Sequence, residues 1–191
     1  MNTQTLRICL VALAVVLFGG CPQNLTQPAG TSDNTNTNGG TSGAASYESQ
    51  FAALYPTCQP AADPNAVVAE VLQLVNQERT TRGLTALQYS DDLEVPAMQH
   101  ACEMIAGHFF AHDNPNTGSS PGDRVGLSAF SAVTWGENIA CGQATATEVM
   151  TGWMNSDGHR ANILNPDFTH LGVGVRSGGS CLIYWVQVFG G

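Results

Sequence analysis

Leu171 to Gly190 read LGVGVRSGGSCLIYWVQVFG, two apolar runs separated by Ser177-Gly178-Gly179-Ser180. A glycine-rich break between two runs of β-branched and aromatic residues predicts a β-hairpin. In the second run Leu182, Tyr184, Val186 and Val188 fall on one face, with Ile183, Trp185 and Phe189 on the other. A strand that is apolar on both faces belongs to a sheet covered on both sides. The hairpin therefore predicts helices above and below it. Strands are expected over 171–176 and 181–189, with a third over 132–140.

The covering helices are legible upstream. Asp63-Pro64 reads as a helix start, Asp capping free amides and Pro taking the first helical position. Val67, Val68, Val71, Leu72 and Val75 then recur at helical spacing, and Gly83 closes the run. Ser90-Asp91-Asp92 opens a second helix bearing Leu93, Ala97, Ala101, Met104 and Ile105, in which Pro96 predicts a kink or a later start. Thr145 and Glu148 form the pattern of a capping box for a third helix reaching about Ser156, and a short helix ends at Leu164. The expected fold class is α+β: a three-layer α-β-α sandwich with a small antiparallel sheet.

A chain of 191 residues, 43% of them hydrophobic, is long enough for one packed domain with tails. Fifteen acidic residues outnumber six basic ones, all arginine, for a net charge of −9. Such a chain has no basic stripe with which to release counterions from a phosphate backbone, so no nucleic-acid partner is expected.

Residues 1–20 read as an export signal. Arg7 precedes an apolar run from Ile8 to Phe18, too short to cross a bilayer as an ordinary helix. Gly19 and Gly20 lead directly to Cys21, a pattern similar to a bacterial lipobox, although Phe18 stands where Leu is usual. Cys21 is accordingly the expected lipidation site. Residues 21–46 are mostly Asn, Thr, Gly, Ser, Pro and Ala, which cannot offset their ordering entropy, and so read as a disordered tether. The globular domain is expected over 47–191. This organisation places the protein outside the cytoplasm, lipid-anchored to a bacterial membrane or secreted, with the lipid membrane as a partner of its N-terminus.

Cys58, Cys102, Cys141 and Cys181 remain in the domain, an even number in an exported chain. That predicts two disulfides with three pairings open. The pairs Cys58–Cys102 and Cys141–Cys181 are favoured. The first would staple the N-terminal segment to the second helix, and the other would join a strand end to the last strand. No CxxC spacing supports a cysteine metal site.

Chemistry concentrates in three motifs. His112 ends HFFAH, Glu137 lies in WGENIA (Trp135 to Ala140), and His159 lies in WMNSDGHRANILNP (Trp153 to Pro166). Histidines and a carboxylate gathered in a cleft share a proton or hold a divalent metal. Each also has a plainer reading. His112 packs beside Phe109 and Phe110, Glu137 ties down loop amides, and His159, following Ser156-Asp157-Gly158, caps a short helix. His108 and His112 have the spacing of HExxH but lack its glutamate. The DNPNTG stretch from Asp113 lacks the alternating oxygen ligands of a calcium loop. His100 reads as a surface or core residue of the second helix, and no GxSxG elbow occurs.

Asn76-Gln77-Glu78-Arg79, FFAH, Pro121-Gly122-Asp123-Arg124, WGENIA, WMNSDGHRANIL and the final GVGV…YWVQVFG occur in one order. Together they resemble a bacterial CAP domain (the SCP/PR-1/antigen 5 superfamily) over about residues 65–191. The resemblance implies the same sandwich, with a cleft that often holds two histidines and two acidic residues. His112 matches the first histidine, Glu137 the acid of the GEN motif and His159 the second histidine. The fourth group is commonly a Glu three residues after the helix tryptophan, and Ser156 stands there instead. The resemblance further implies zinc or magnesium as the cofactor, and recognition of lipid, glycan or protein. The expected function is binding of an envelope, lipid or peptide ligand, with a divalent metal in the His/Glu cleft. The alternative is a metal-assisted peptide hydrolase, with His112 and His159 holding the metal and Glu137 as general base.

Overall fold

The protein is described by a computed structural model over residues 42–191. The leader, Cys21 and the tether up to residue 41 lie outside the described residues. The described elements run α1 (Ser42–Leu54), β1 (Gln59–Pro60), α2 (Pro64–Thr80), β2 (Gln88–Tyr89), α3 (Asp91–Gly107) and α4 (Pro121–Gly126). They continue with β3 (Trp135–Cys141), α5 (Ala146–Met154), α6 (Asp157–Ile163), β4 (His170–Gly178) and β5 (Leu182–Gly190). Among the described residues, no helix is long and apolar enough to cross a membrane.

The hairpin is the centre of the sheet, whose order is β1-β4-β5-β3 with antiparallel neighbours. The short β2 adds a parallel bridge to β4. The two faces of β5 divide the core as its alternation requires. Tyr184, Val186 and Val188 pack with Phe51, Leu93, Ala97, Met104, Ile105 and Val125 from α1, α3 and α4. Trp185 and Phe189 pack with Val71, Val75, Val149, Trp153 and Ile163 from α2, α5 and α6. These are the three layers of an α-β-α sandwich. Leu182 departs from its face: it follows the turn at φ 69° and is 77% exposed.

Glycine decides how closely α3 approaches. A Cβ on Gly172 would lie 2.1 Å from the Leu93 carbonyl carbon, and one on Gly174 2.4 Å from that of Ala97. The α3 backbone thus sits directly on β4, which brings its polar residues over the sheet.

Several local expectations are corrected. Asp63 does not cap α2: its φ is 47° and its side chain makes no capping bond. Ser90 does cap α3, accepting from the Leu93 amide, and the helix runs through Pro96 rather than starting there. Thr145 caps α5, accepting from the Glu148 amide, but the Glu148 carboxylate reaches Ala144 N at 2.8 Å instead of closing the box on Thr145. The strands are displaced by a residue or more from their expected limits, and the turn becomes Gly179-Ser180-Cys181 between paired Gly178 and Leu182. α1 begins at Ser42, inside the stretch read as tether. The disulfides are Cys58–Cys102 and Cys141–Cys181, the favoured pairing.

Candidate functional site

Strand β3 carries Glu137 at the sheet's edge, where it meets groups from α3, α4 and the loop between them. His112 Nδ1 lies 2.8 Å from Glu137 Oε1, and Arg124 Nη2 donates to Glu137 Oε2 at 2.8 Å. A carboxylate only accepts, so His112 carries its proton on Nδ1 and turns Nε2 away from the acid. The Glu137 side chain is 2% exposed and that of His112 48%. A sealed acid thus orients a half-open imidazole.

Arg124 makes this possible. A capping box between Ser120 and Asp123 starts the short α4 and sets the guanidinium inward, where it also donates to His112 O at 2.8 Å and Ser119 O at 3.2 Å. Behind it lie two further ionisable groups. Glu103 Oε2 is 4.0 Å from Arg124 Nη1 and 3.3 Å from His100 Nδ1, while His100 Nε2 donates to Ala111 O at 2.9 Å. His100 is fully buried and its Nε2 is 3.8 Å from Glu137 Oε1. The resulting chain runs His112–Glu137–Arg124–Glu103–His100.

The electrostatics follow from this packing. Burial pushes the Glu137 carboxyl up, but the His112 hydrogen bond, His100 and the Arg124 guanidinium outweigh it and hold the group below its ordinary range. Glu103 is likewise lowered, burial being overcome by hydrogen bonds from His100 and Gln99. His112 is raised, chiefly by its hydrogen bond to Glu137, against partial burial.

His159 comes from the other layer. Asn138, in β3, donates to His159 O at 3.1 Å, and Asn162 donates to Asn138 Oδ1 at 2.9 Å and Glu137 O at 3.1 Å. These side-chain amides fasten α6 to the strand and set His159 beside the cleft. Its pKa is lowered, first by burial and then by the charge of His112. A groove of about 280 Å³ runs past His159, with Trp153, Ser156, Phe110, Ile139 and Cys141 among its lining residues.

The three residues expected from the sequence thus fall unequally. His112 and Glu137 touch; His159 stands near enough to feel the charge of His112; Ser156 lines the same groove. Both oxygens of Glu137 are committed, which disfavours it as a free base. Among the described residues, no group of three or more His, Cys, Asp or Glu is disposed to hold a metal ion. The sequence reading missed the roles of Arg124 and Glu103 and the link from His100, one of whose two expected places was the core, to Glu103 and Glu137. One signal was present: His100 and Glu103 interrupt the Ala97, Ala101, Met104 stripe, and charges on a core stripe require partners.

Residues 72–189 match the family described as CAP, cysteine-rich secretory protein family, and make up more than half of the chain. The chain belongs to this family. The uncharacterized protein YkwD of Bacillus subtilis (strain 168) is 44% identical over 129 residues, 66% of this chain and 49% of YkwD. The uncharacterized membrane protein YlbC of the same organism is 36% identical over 106 residues, 56% of this chain and 30% of YlbC. This CAP chain therefore aligns with half or less of the length of these relatives. Among solved structures, an extracellular SCP-domain protein from Bacillus anthracis superposes with TM-score 0.59 at 32% identity, covering 66% of this chain and 40% of that one. An outer surface protein from Borrelia burgdorferi has the same fold, with TM-score 0.62 at 22% identity, covering 68% and 95% of the respective chains.

Other motifs of the CAP domain prove structural. Asn76 donates to Leu87 O and accepts from Leu87 N, at 3.0 and 2.7 Å. Buried Arg79 donates to the carbonyls of Thr85, Ile163, Asn165 and Phe168, tying α2 to the end of α6.

Proposed function

We propose that this CAP protein is an extracytoplasmic binding module, held to a membrane by lipid on Cys21, that engages an envelope, lipid or peptide ligand through His112 and His159. One observation carries the reading of the cleft: Glu137 spends both oxygens on His112 and Arg124, so it holds an imidazole for use rather than reacting itself. Two disulfides support an oxidising compartment. The extracellular SCP-domain relative and the membrane-protein relative agree with that placement.

A divalent metal fits this donor set in a restricted way. A carboxylate behind a histidine, leaving the other ring nitrogen outward, is the arrangement that orients a metal ligand. His112 and His159 would hold zinc or magnesium, with ligand or water completing the shell and Glu137 remaining behind His112. A bound cation would supply positive charge for an anionic group of the ligand. Burial lowers the His159 pKa, which favours the neutral imidazole that a metal ligand must present. His112 must first give up the Nε2 proton that the charge of Glu137 favours, so affinity should rise with pH.

Calorimetric titration of zinc into the full chain tests the site. Wild type should bind, and His112→Ala and His159→Ala should each weaken binding at least tenfold. Absence of heat in wild type, or unchanged affinity in both variants, overturns the metal-bearing cleft.

A further inference from the structure

We infer that the groove beside β3 binds an extended peptide, which pairs with the strand's outer edge and places an apolar side chain beside Trp153. The inference rests on the cleft being a ligand site and names the class of ligand.

The strand's hydrogen-bond parity supplies the first part. Thr134 and Gly191 exchange two backbone bonds, and Gly142 donates to Ile183 O. With the antiparallel register of β3 on β5, the even-numbered residues of β3 therefore face β5 and the odd-numbered ones face away. The outward carbonyls are partly met: Glu137 O accepts from Asn162, and Ile139 O accepts from Trp153 Nε1 at 3.3 Å. β3 is an edge strand, and among the described residues no loop, turn or side-chain acceptor meets the outward amides of Ile139 and Cys141. Ile139 is only 6% exposed. A buried amide without a partner is costly and calls for water or ligand. With the outward amide of half-buried Cys141, that of Ile139 forms an alternate pair along one strand edge, the template on which an added strand pairs.

The groove supplies the rest. Ile139, Ala140 and Cys141 line it from the strand, Phe110 from the loop after α3, and Trp153 and His159 from α5 and α6. Its volume of about 280 Å³ is just below the range of about 300–1,000 Å³ usual for sites that enclose a whole small molecule. That space suits a side chain or two of a longer ligand. Gln143 also lines the groove, and its buried Oε1 has no hydrogen-bond partner among the described residues. Peptide carbonyls fit the two amides. A lipid chain satisfies neither.

The test uses the 15N-labelled full chain and acetylated, amidated tripeptides with central Leu, Phe or Asp. The Leu or Phe peptide should shift the Ile139 and Cys141 amide signals and slow their hydrogen exchange at least tenfold. Gly152 lines the groove from α5, and open space surrounds the position of a Cβ there. Gly152→Phe should therefore fill the groove and weaken peptide binding at least tenfold with an unchanged circular dichroism spectrum. The inference is overturned if both amides exchange slowly without peptide, if no peptide affects them, or if Gly152→Phe binds as wild type. Should peptide protect the amides in a chain that binds no zinc, the inference stands and the metal-bearing cleft fails. Zinc binding without any peptide effect overturns the inference and leaves the metal-bearing cleft standing.

Discussion

Glu137 shows how one side chain changes meaning when its neighbours are known. In the sequence it is an acid between two histidine-bearing motifs, open to base chemistry and to scaffolding. In the fold it is sealed, ionised and doubly engaged, so its role is to hold His112 with a proton on Nδ1. That yields a pH prediction with a definite sign. Because the folded pKa of His112 is raised, its contribution to stability is fully present below the unfolded value of about 6.5 and is lost as pH rises through the folded one. Glu137→Gln should lower the His112 pKa and remove that dependence, as followed by NMR titration of the imidazole C–H resonances. An unchanged His112 titration would show that the hydrogen bond does not govern the imidazole.

At the scale of elements, α3 and β4 decide how the site is assembled. The apolar stripe of α3 was readable from spacing, and so was its capping serine. Its close seat on the sheet was not, since it depends on Gly172 and Gly174 leaving room for helix backbone rather than side chains. That seat carries His100 and Glu103 toward Arg124 and Glu137. Gly174→Ala should therefore cost about 3 kcal/mol or more by overpacking, measured by urea unfolding. It should also perturb His112, because α3 cannot lift without disturbing the ion-pair chain. A neutral substitution would mean that the helix yields freely. The missing cap on α2 has a related cause: Asp63 has the right chemistry, but the chain enters the helix there in a left-handed conformation, not the extended one a capping residue adopts, and no capping bond forms.

At the scale of the molecule, two cores share one central sheet and two covalent links tie its periphery. Cys58–Cys102 spans 44 residues and joins the segment before α2 to α3 across the first core. Closing a loop of that length removes freedom mainly from the unfolded chain. The double variant Cys58→Ala, Cys102→Ala should lose about 2–4 kcal/mol in chemical denaturation, and reductant should then change its midpoint less than that of wild type. Equal stability with and without this bond would place the restraint elsewhere.

The amino-acid order alone determined the layers, because a strand apolar on both faces has only one way to hide them. It determined the helices that cover the sheet and the family, through motifs whose spacing survives without any coordinates. The partnership of Arg124 with Glu137, the burial of His100 and the outward amides of Ile139 and Cys141 were decided only in three dimensions. Each depends on which element lies against which, and at what distance. Periodicity records the face a residue occupies; it carries no record of the charge or the empty space that another segment brings to meet it.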